Sequence, residues 1–322
     1  MNSARLQYFF SRITYIFSLL LLAVLLGVNY SLQDNLFELR VLNNSMRTLL
    51  PLILLAVGQA VVVIGGGIDL SVGTMVSMLV AVLVNLIDAE SGAREIVLAI
   101  LAACGAGLLA GLLNGFAVAF LRLQPIVTTY ATSFIFSGVA LLLLPRPGGQ
   151  IPTDLRRFYA QTPYGGPPSF YNLGPLLLFW PRLRSARYAQ LLYATARNSQ
   201  AAYTTGIPVR LVRLTTYLWA GFFAALAATA LTRSTGSGQA NIGDNMTLDS
   251  IVAVVLGGTR LSGGKGGIAG AIIGVMILRV IRNVIFFADV PTWSQTLVNA
   301  LIIIAALAGP GLLGLVRRVV KK

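Results

Sequence analysis

Long apolar runs separated by short polar stretches set the pattern of this chain. Continuous runs cover residues 13–28, 49–64, 72–86, 96–120, 125–144, 214–231, 268–287 and 293–315, with shorter ones at 173–180 and 248–256. Most approach the ~20 residues that cross a hydrocarbon core as a helix. They lack the two-residue alternation of barrel strands, and helices and closed barrels are the only structures that span a bilayer. The pattern predicts an all-α polytopic membrane protein with about ten transmembrane helices. Residues 1–322 then form one transmembrane domain.

The polar stretches between the runs set the orientation. Asp88, Glu90, Arg94 and Glu95 mark an acidic loop, and a proline-rich loop follows from residue 145 to 172. Arg182, Arg184, Arg187, Arg197, Arg210 and Arg213 form the most basic region, with no acidic residue among them, and the tail carries Arg317, Arg318, Lys321 and Lys322. The positive-inside rule puts the basic segments and both termini in the cytoplasm, with the acidic and proline-rich loops outside. Arg5 and Arg12 precede the first run, and no small-residue cleavage site follows it, so it reads as a retained helix. Arg279 and Arg282 disobey the rule, because they fall in the outer half of the 268–287 run. They snorkel, line a polar pathway or pair across a subunit contact, and a protein-facing position is favoured over lipid.

Composition strengthens this picture. The chain is 56% hydrophobic and 11% charged, with a mean hydropathy of +0.80. Its formal charge of +14 would suggest nucleic acid in a soluble protein. Here the cations sit between apolar runs, so membrane orientation accounts for them and no nucleic-acid partner is expected. Cys104 is the only cysteine, which excludes an intrachain disulfide, and histidine is absent. No carboxylate pair, Cys–His set or serine triad appears. No catalytic residue and no metal site are expected.

Two glycine-rich stretches stand out. GGGIDLSVG, residues 65–73, joins two apolar runs and places Asp69 between them. Consecutive glycines let backbones approach closely, and a carboxylate at such a place is a functional candidate. Asp69 also suits capping of the helix that starts near Ser71, and the two roles are compatible. GGTRLSGGKGG, residues 257–267, invites a phosphate-loop reading but fails on spacing. The first glycine of such a loop would fall at Thr259, and Gly266 stands where Ser or Thr should hold magnesium. A tight inner turn that lets the flanking helices pack closely is the better reading, with Arg260 and Lys265 holding it inside.

These stretches carry a family resemblance. GGGIDLSVG, then GLLNGFAVAFLRLQPIVTTYAT (111–132), ARNSQAAYTTGI (196–207) and TLDSIVAVVLGGTRLSGGKGGIAGAIIG (247–274) occur in that order. Together they resemble the permease subunits of bacterial ABC importers for simple sugars of the ribose, arabinose, xylose and galactofuranose type. The resemblance covers nearly the whole chain after Leu49.

It implies the ABC importer permease fold in the bacterial inner membrane. It also implies a second permease copy or paralogue, an ATP-binding ABC subunit on the inner face and a periplasmic sugar-binding protein. The chain itself would hold no cofactor, since the partner subunit binds ATP. Residues 191–209 match the ATPase-coupling segment, through Asn198, Ala201, Ala202, Gly206 and Ile207. A sugar path needs hydrogen-bonding groups and aromatic faces, for which the candidates by position are Asp69, Ser71, Asn114, Gln124, Thr128, Phe134 and Arg282.

Three departures from the family pattern stand out. The 173–180 run is short for a span, Arg197 replaces a usual glycine before Asn198, and Arg282 replaces an Asn often found late in its helix. The alternative from another class is an ATP-independent secondary carrier or facilitator. Few ionisable residues lie within the runs, which weighs against an ion-driven carrier.

Overall fold

The computed structural model describes residues 16–153, 187–298 and 300–304. Their elements are α1 (Ile16–Leu32), α2 (Leu39–Ile64), α3 (Val72–Leu86), α4 (Ala93–Ala119), α5 (Pro125–Leu143), α6 (Arg187–Arg197), α7 (Ser199–Thr204), α8 (Val209–Thr235), α9 (Asp244–Leu256) and α10 (Ile268–Phe287). A last helix, α11, spans Thr292–Ile304. The described residues contain no strand, only an antiparallel bridge between Gly148 and Gly238.

Five of these helices are long and apolar enough to cross a membrane: α2, α4, α5, α8 and α10. The expected runs at 72–86 and 268–287 coincide with α3 and α10. The 173–180 run, Arg182, Arg184 and the basic tail lie outside the described residues.

The hub of the molecule is α2. Of its apolar window, 89% is buried inside the protein, against 28% for α4 and 33% for α5. That contrast separates a core helix from two peripheral ones. Exposed leucines and aromatics on α4 and α5, such as Leu109, Phe116, Phe134 and Leu142, form an apolar exterior suited to hydrocarbon rather than water. The sequence pattern starts α2 at Leu49, yet the helix begins at Leu39. Its first turns are polar, because they line a cavity described below instead of contributing to the apolar span.

Small residues bring the helices together. A Cβ on Gly221 of α8 would meet the Gly107 carbonyl of α4, and a Cβ on Gly107 would meet the Gly221 carbonyl. Gly111 and Gly115, at four-residue spacing on α4, continue that seam against Tyr217 and Leu214. Without a hydrophobic drive between helices in lipid, such close backbone contact is what van der Waals packing needs. The reading of 257–267 as a tight turn also holds. Gly257 and Gly270 face each other across it, and a Cβ on Gly274 would strike the Ala253 carbonyl.

One end of the bundle is defined by this turn. Gly264 N–H donates to the Ile64 carbonyl at the end of α2 (3.0 Å). The Tyr193 hydroxyl of α6 donates to the Gly266 carbonyl (2.7 Å), and the Ser18 hydroxyl of α1 donates to the Leu256 carbonyl (2.5 Å). The first residues of α2 and the last residues of α10 lie at the opposite end. The 26 residues of α2 span ~39 Å at 1.5 Å per residue, more than the ~30 Å of a hydrocarbon core.

Candidate functional site

Between α2 and α3 the backbone leaves helical geometry, and Gly66 takes a left-handed φ of 85°. A non-helical segment among spanning helices must find partners for its backbone groups inside the protein. Thr129 of α5 supplies them. Its hydroxyl accepts from Leu70 N–H (3.0 Å) and lies within hydrogen-bond distance of the Ile68 carbonyl (3.3 Å) and the Pro125 carbonyl (2.9 Å).

Asp69 is fully buried here. One carboxylate oxygen accepts from Ser71 N–H (2.8 Å) and from the Ser71 hydroxyl (2.6 Å). The other receives Asn114 Nδ2 of α4 at 3.5 Å. Asn114 Nδ2 also donates to Ser71 Oγ (2.8 Å), and its Oδ1 accepts from the Thr132 hydroxyl of α5 (2.7 Å). Asp69 thus holds the N–H of the residue just before α3 and links that helix to α4 and α5 in one buried network. No cation pairs with Asp69 among the described residues.

The network contains Asp69, Ser71 and Asn114 from the sequence candidates, and adds Thr129 and Thr132. Thr128 is also buried, but its hydroxyl bonds back to the Gln124 carbonyl of its own helix (2.8 Å). The sequence signal for the two added residues is their three-residue spacing, which puts them on one helix face. Phe134 is exposed on α5, edge-on to Tyr130 with ring centroids 4.9 Å apart. It is not part of the network.

A second polar seam joins α3 to α9. Gly73 N–H donates to Thr247 Oγ1 (3.0 Å), and Gly243 N–H donates to Ser77 Oγ (2.9 Å), which in turn donates to Asp244 (3.3 Å).

Two cavities open at opposite ends of α2. The one beside its N-terminal turns, about 1450 Å³, is lined by polar groups from α2, α9, α10 and α11, including Asn44, Asn245, Asp249, Arg282 and Asn283. Arg282 donates through Nη2 alone to both carboxylate oxygens of Asp249, at 2.6 and 2.7 Å. Arg282 lines this cavity beside Asp249, with its side chain still 45% exposed. The other cavity, about 1280 Å³, lies beside the C-terminal end of α2. Gly65, Gly66, Gly67, Gln124, Arg213 and Tyr217 line it, together with residues of α7. The buried Tyr217 hydroxyl has no hydrogen-bond partner there. Sequence reasoning placed Gln124 on the path but missed Asn44, Asn245 and Asn283, whose common location only the packing of α2, α9 and α10 reveals.

The 191–209 segment holds the second half of α6 and all of α7, and ends at the start of α8. Asn198 is the break. Its side chain caps α7 by accepting from Gln200 N–H (3.1 Å) and Ala201 N–H (3.0 Å). Ala202 is buried, Ile207 N–H bonds back to its carbonyl (3.1 Å), and Gly206 takes a φ of 82° to end the helix. Ala201 and Tyr203 are left exposed, and Tyr203 is 75% so. On α6, burial pushes the Tyr188 phenol above its ordinary range, with the Thr215 hydroxyl pulling the other way, so Tyr188 is a neutral anchor against α8. No group of three or more potential metal ligands occurs among the described residues.

Comparison with known proteins agrees with the resemblance read from the motifs. Residues 41–307 match the family described as branched-chain amino acid transport system / permease component, and the chain belongs to that family. It is 31% identical over 297 residues to the ribose import permease protein of Escherichia coli K12, covering 90% of this chain and 91% of that one. It is 32% identical over 263 residues to the galactofuranose transporter permease protein of the same strain, covering 80% and 75%. It is 29% identical over 311 residues to the autoinducer 2 import system permease protein of Yersinia pseudotuberculosis YPIII, covering 92% and 84%. No solved structure gives a significant match.

Proposed function

We propose that this chain is the membrane permease subunit of an ATP-driven ABC importer that forms the translocation pathway for a simple sugar or related polyol. The observation that carries the reading is the pair of cavities at opposite ends of a membrane-length central helix. The Asp69–Asn114 network begins two residues beyond Gly67 on the rim of one of them. Alternating access needs such a layout: one compartment open to each side and a polar joint between helices that shift. The names of the relatives support sugars as the cargo.

In this reading the chain crosses the bacterial inner membrane about ten times as one domain, with both termini in the cytoplasm. The α2 N-terminal cavity faces the periplasm and a sugar-binding protein. The other cavity, beside Arg122, Arg210 and Arg213, faces the cytoplasm. The separate ATPase docks on α6 and α7, where exposed Ala201 and Tyr203 flank the Asn198 cap, and α7 passes its motion to α8 through Gly206 and Ile207. Lipid-facing α4 and α5 leave other faces of the bundle for a second permease, identical or paralogous. ATP is held by the partner, and this chain carries out no chemistry of its own.

The test is uptake into proteoliposomes. Sugar uptake that requires the partner ATPase, ATP and the binding protein supports the reading. Uptake by the chain alone along an ion gradient would replace it with a secondary carrier.

A further inference from the structure

The cavity beside the start of α2 carries more charge than a neutral sugar requires. Six charged residues line it: Arg40, Arg47, Arg279 and Arg282 against Glu38 and Asp249. The carboxylate of Asp249 is taken up by Nη2 of Arg282. Arg279 lies about one turn before Arg282 on α10, and its Nε is buried without a hydrogen-bond partner. The Nε of Arg47, across the cavity on α2, is in the same condition.

Among the described residues, no ion pair ties the other arginines of the lining to a carboxylate. Of the ten acidic residues, Asp34 and Asp289 sit near the lining in sequence but make no ion pair, and Asp154 is the only one outside the described residues. On the import reading, this is also the face where arginine is ordinarily depleted.

From this geometry we infer that the cavity accepts a monosaccharide bearing one carboxylate, an aldonate or uronate, rather than a neutral sugar. The inference rests on the import reading and names the cargo class of the same pathway. Arg279 grips the carboxylate with its two Nη nitrogens, the paired donors that match a carboxylate's two oxygens. Arg47 faces it from α2. Amides of Asn44, Asn245 and Asn283 meet the sugar hydroxyls, which have both donors and acceptors to satisfy. Arg282 is held back by Asp249 and shapes the wall.

The experiment is uptake by the importer assembled with its ATPase and binding protein in phosphatidylcholine vesicles, using radiolabelled aldoses and the corresponding aldonates and uronates. At least one acid is expected to be carried at tenfold or more the rate of its parent aldose. Arg279→Gln should lower that uptake tenfold or more, and Arg279→Lys, which keeps the charge but loses the fork, should fall between. Yield and elution profile report whether each variant folds. If an Arg279 variant fails to fold, the wild-type ratio of acid to aldose decides alone. ATP-dependent uptake of aldoses with acids excluded overturns the inference and leaves the import reading standing. So does equal loss of both classes in a folded Arg279→Gln. An effect of the variant seen only when anionic lipid is added assigns the arginines to headgroups and also overturns it. No ATP-dependent uptake of any sugar overturns the import reading itself.

Discussion

Replacing Asn114 with alanine tests the buried network directly. Asn114 is fully buried, as are Ser71 and Asp69, and Thr132 is 6% exposed, so water does not easily replace the lost amide. The change removes two good hydrogen bonds, to Ser71 Oγ (2.8 Å) and from Thr132 (2.7 Å), and one long contact to Asp69 (3.5 Å). The long contact lies at the limit of useful geometry and counts for little. Stranding a buried polar group costs about 1–3 kcal/mol in soluble proteins. In a membrane the measured worth of an interhelical hydrogen bond averages nearer ~0.6 kcal/mol, because the unfolded chain also finds partners there. Two bonds plus a carboxylate that loses its neighbour place the cost at about 2–4 kcal/mol, bounded by those two scales. The assay is reversible unfolding of the purified protein in mixed micelles by circular dichroism, for Asn114→Ala, Asp69→Ala and the double variant. Because the two residues share Ser71, the double variant should fall short of the sum by about 1 kcal/mol or more. A loss under ~0.5 kcal/mol for Asn114→Ala, with additive double-variant behaviour, would refute the claim that these residues act as one unit.

Three further substitutions address separate parts of the account. Gly221→Leu forces a side chain onto the Gly107 carbonyl, so α4 and α8 must separate, and folded yield should collapse; near-normal yield of stable protein would contradict the seam. Asn198→Ala removes the α7 cap, at a local cost of about 1 kcal/mol, and should weaken sugar-stimulated ATP hydrolysis in the assembled complex more than it lowers the melting temperature. Arg282→Leu leaves Asp249 without its partner and should impair transport or assembly, with Asp249→Asn restoring part of the loss; transport and yield both unchanged would reject the role. The stability part of that effect should stay under ~1 kcal/mol, since the arginine side chain is 45% exposed.

Much of the architecture was legible because lipid makes the apolar period a matter of length. Residues 72–86 and 268–287 were bounded by the glycines and polar residues that stop them, and the helices stop there. The start of α2 was missed because LRVLNNSMRT is polar, and hydropathy cannot see a helix whose polar turns face a cavity. Asn198 was legible as part of a motif but not as a cap, because that role shows only when its side-chain carbonyl is seen on the Gln200 and Ala201 N–H groups.

Asp69, Ser71 and Asn114 stood out as polar residues within apolar surroundings, and they do meet. Thr129 and Thr132 did not stand out, because a threonine on a helix usually bonds its own backbone, as Thr128 does. The cluster of Asn44, Asn245 and Asn283 depends on three helices far apart in sequence, so only packing brings it together.

The central claim is that the two cavities open in turn under the control of a partner's ATP cycle. Cysteine accessibility tests it most directly. In a Cys104→Ser background, Asn283→Cys reports on the cavity beside the start of α2 and Gln124→Cys on the one beside its end. A membrane-impermeant maleimide is added to either face of vesicles holding the assembled complex, with and without trapped nucleotide. The account predicts that the two positions label from opposite faces and that trapping nucleotide changes their rates in opposite directions. Labelling of both from one face, or rates indifferent to nucleotide, would contradict it.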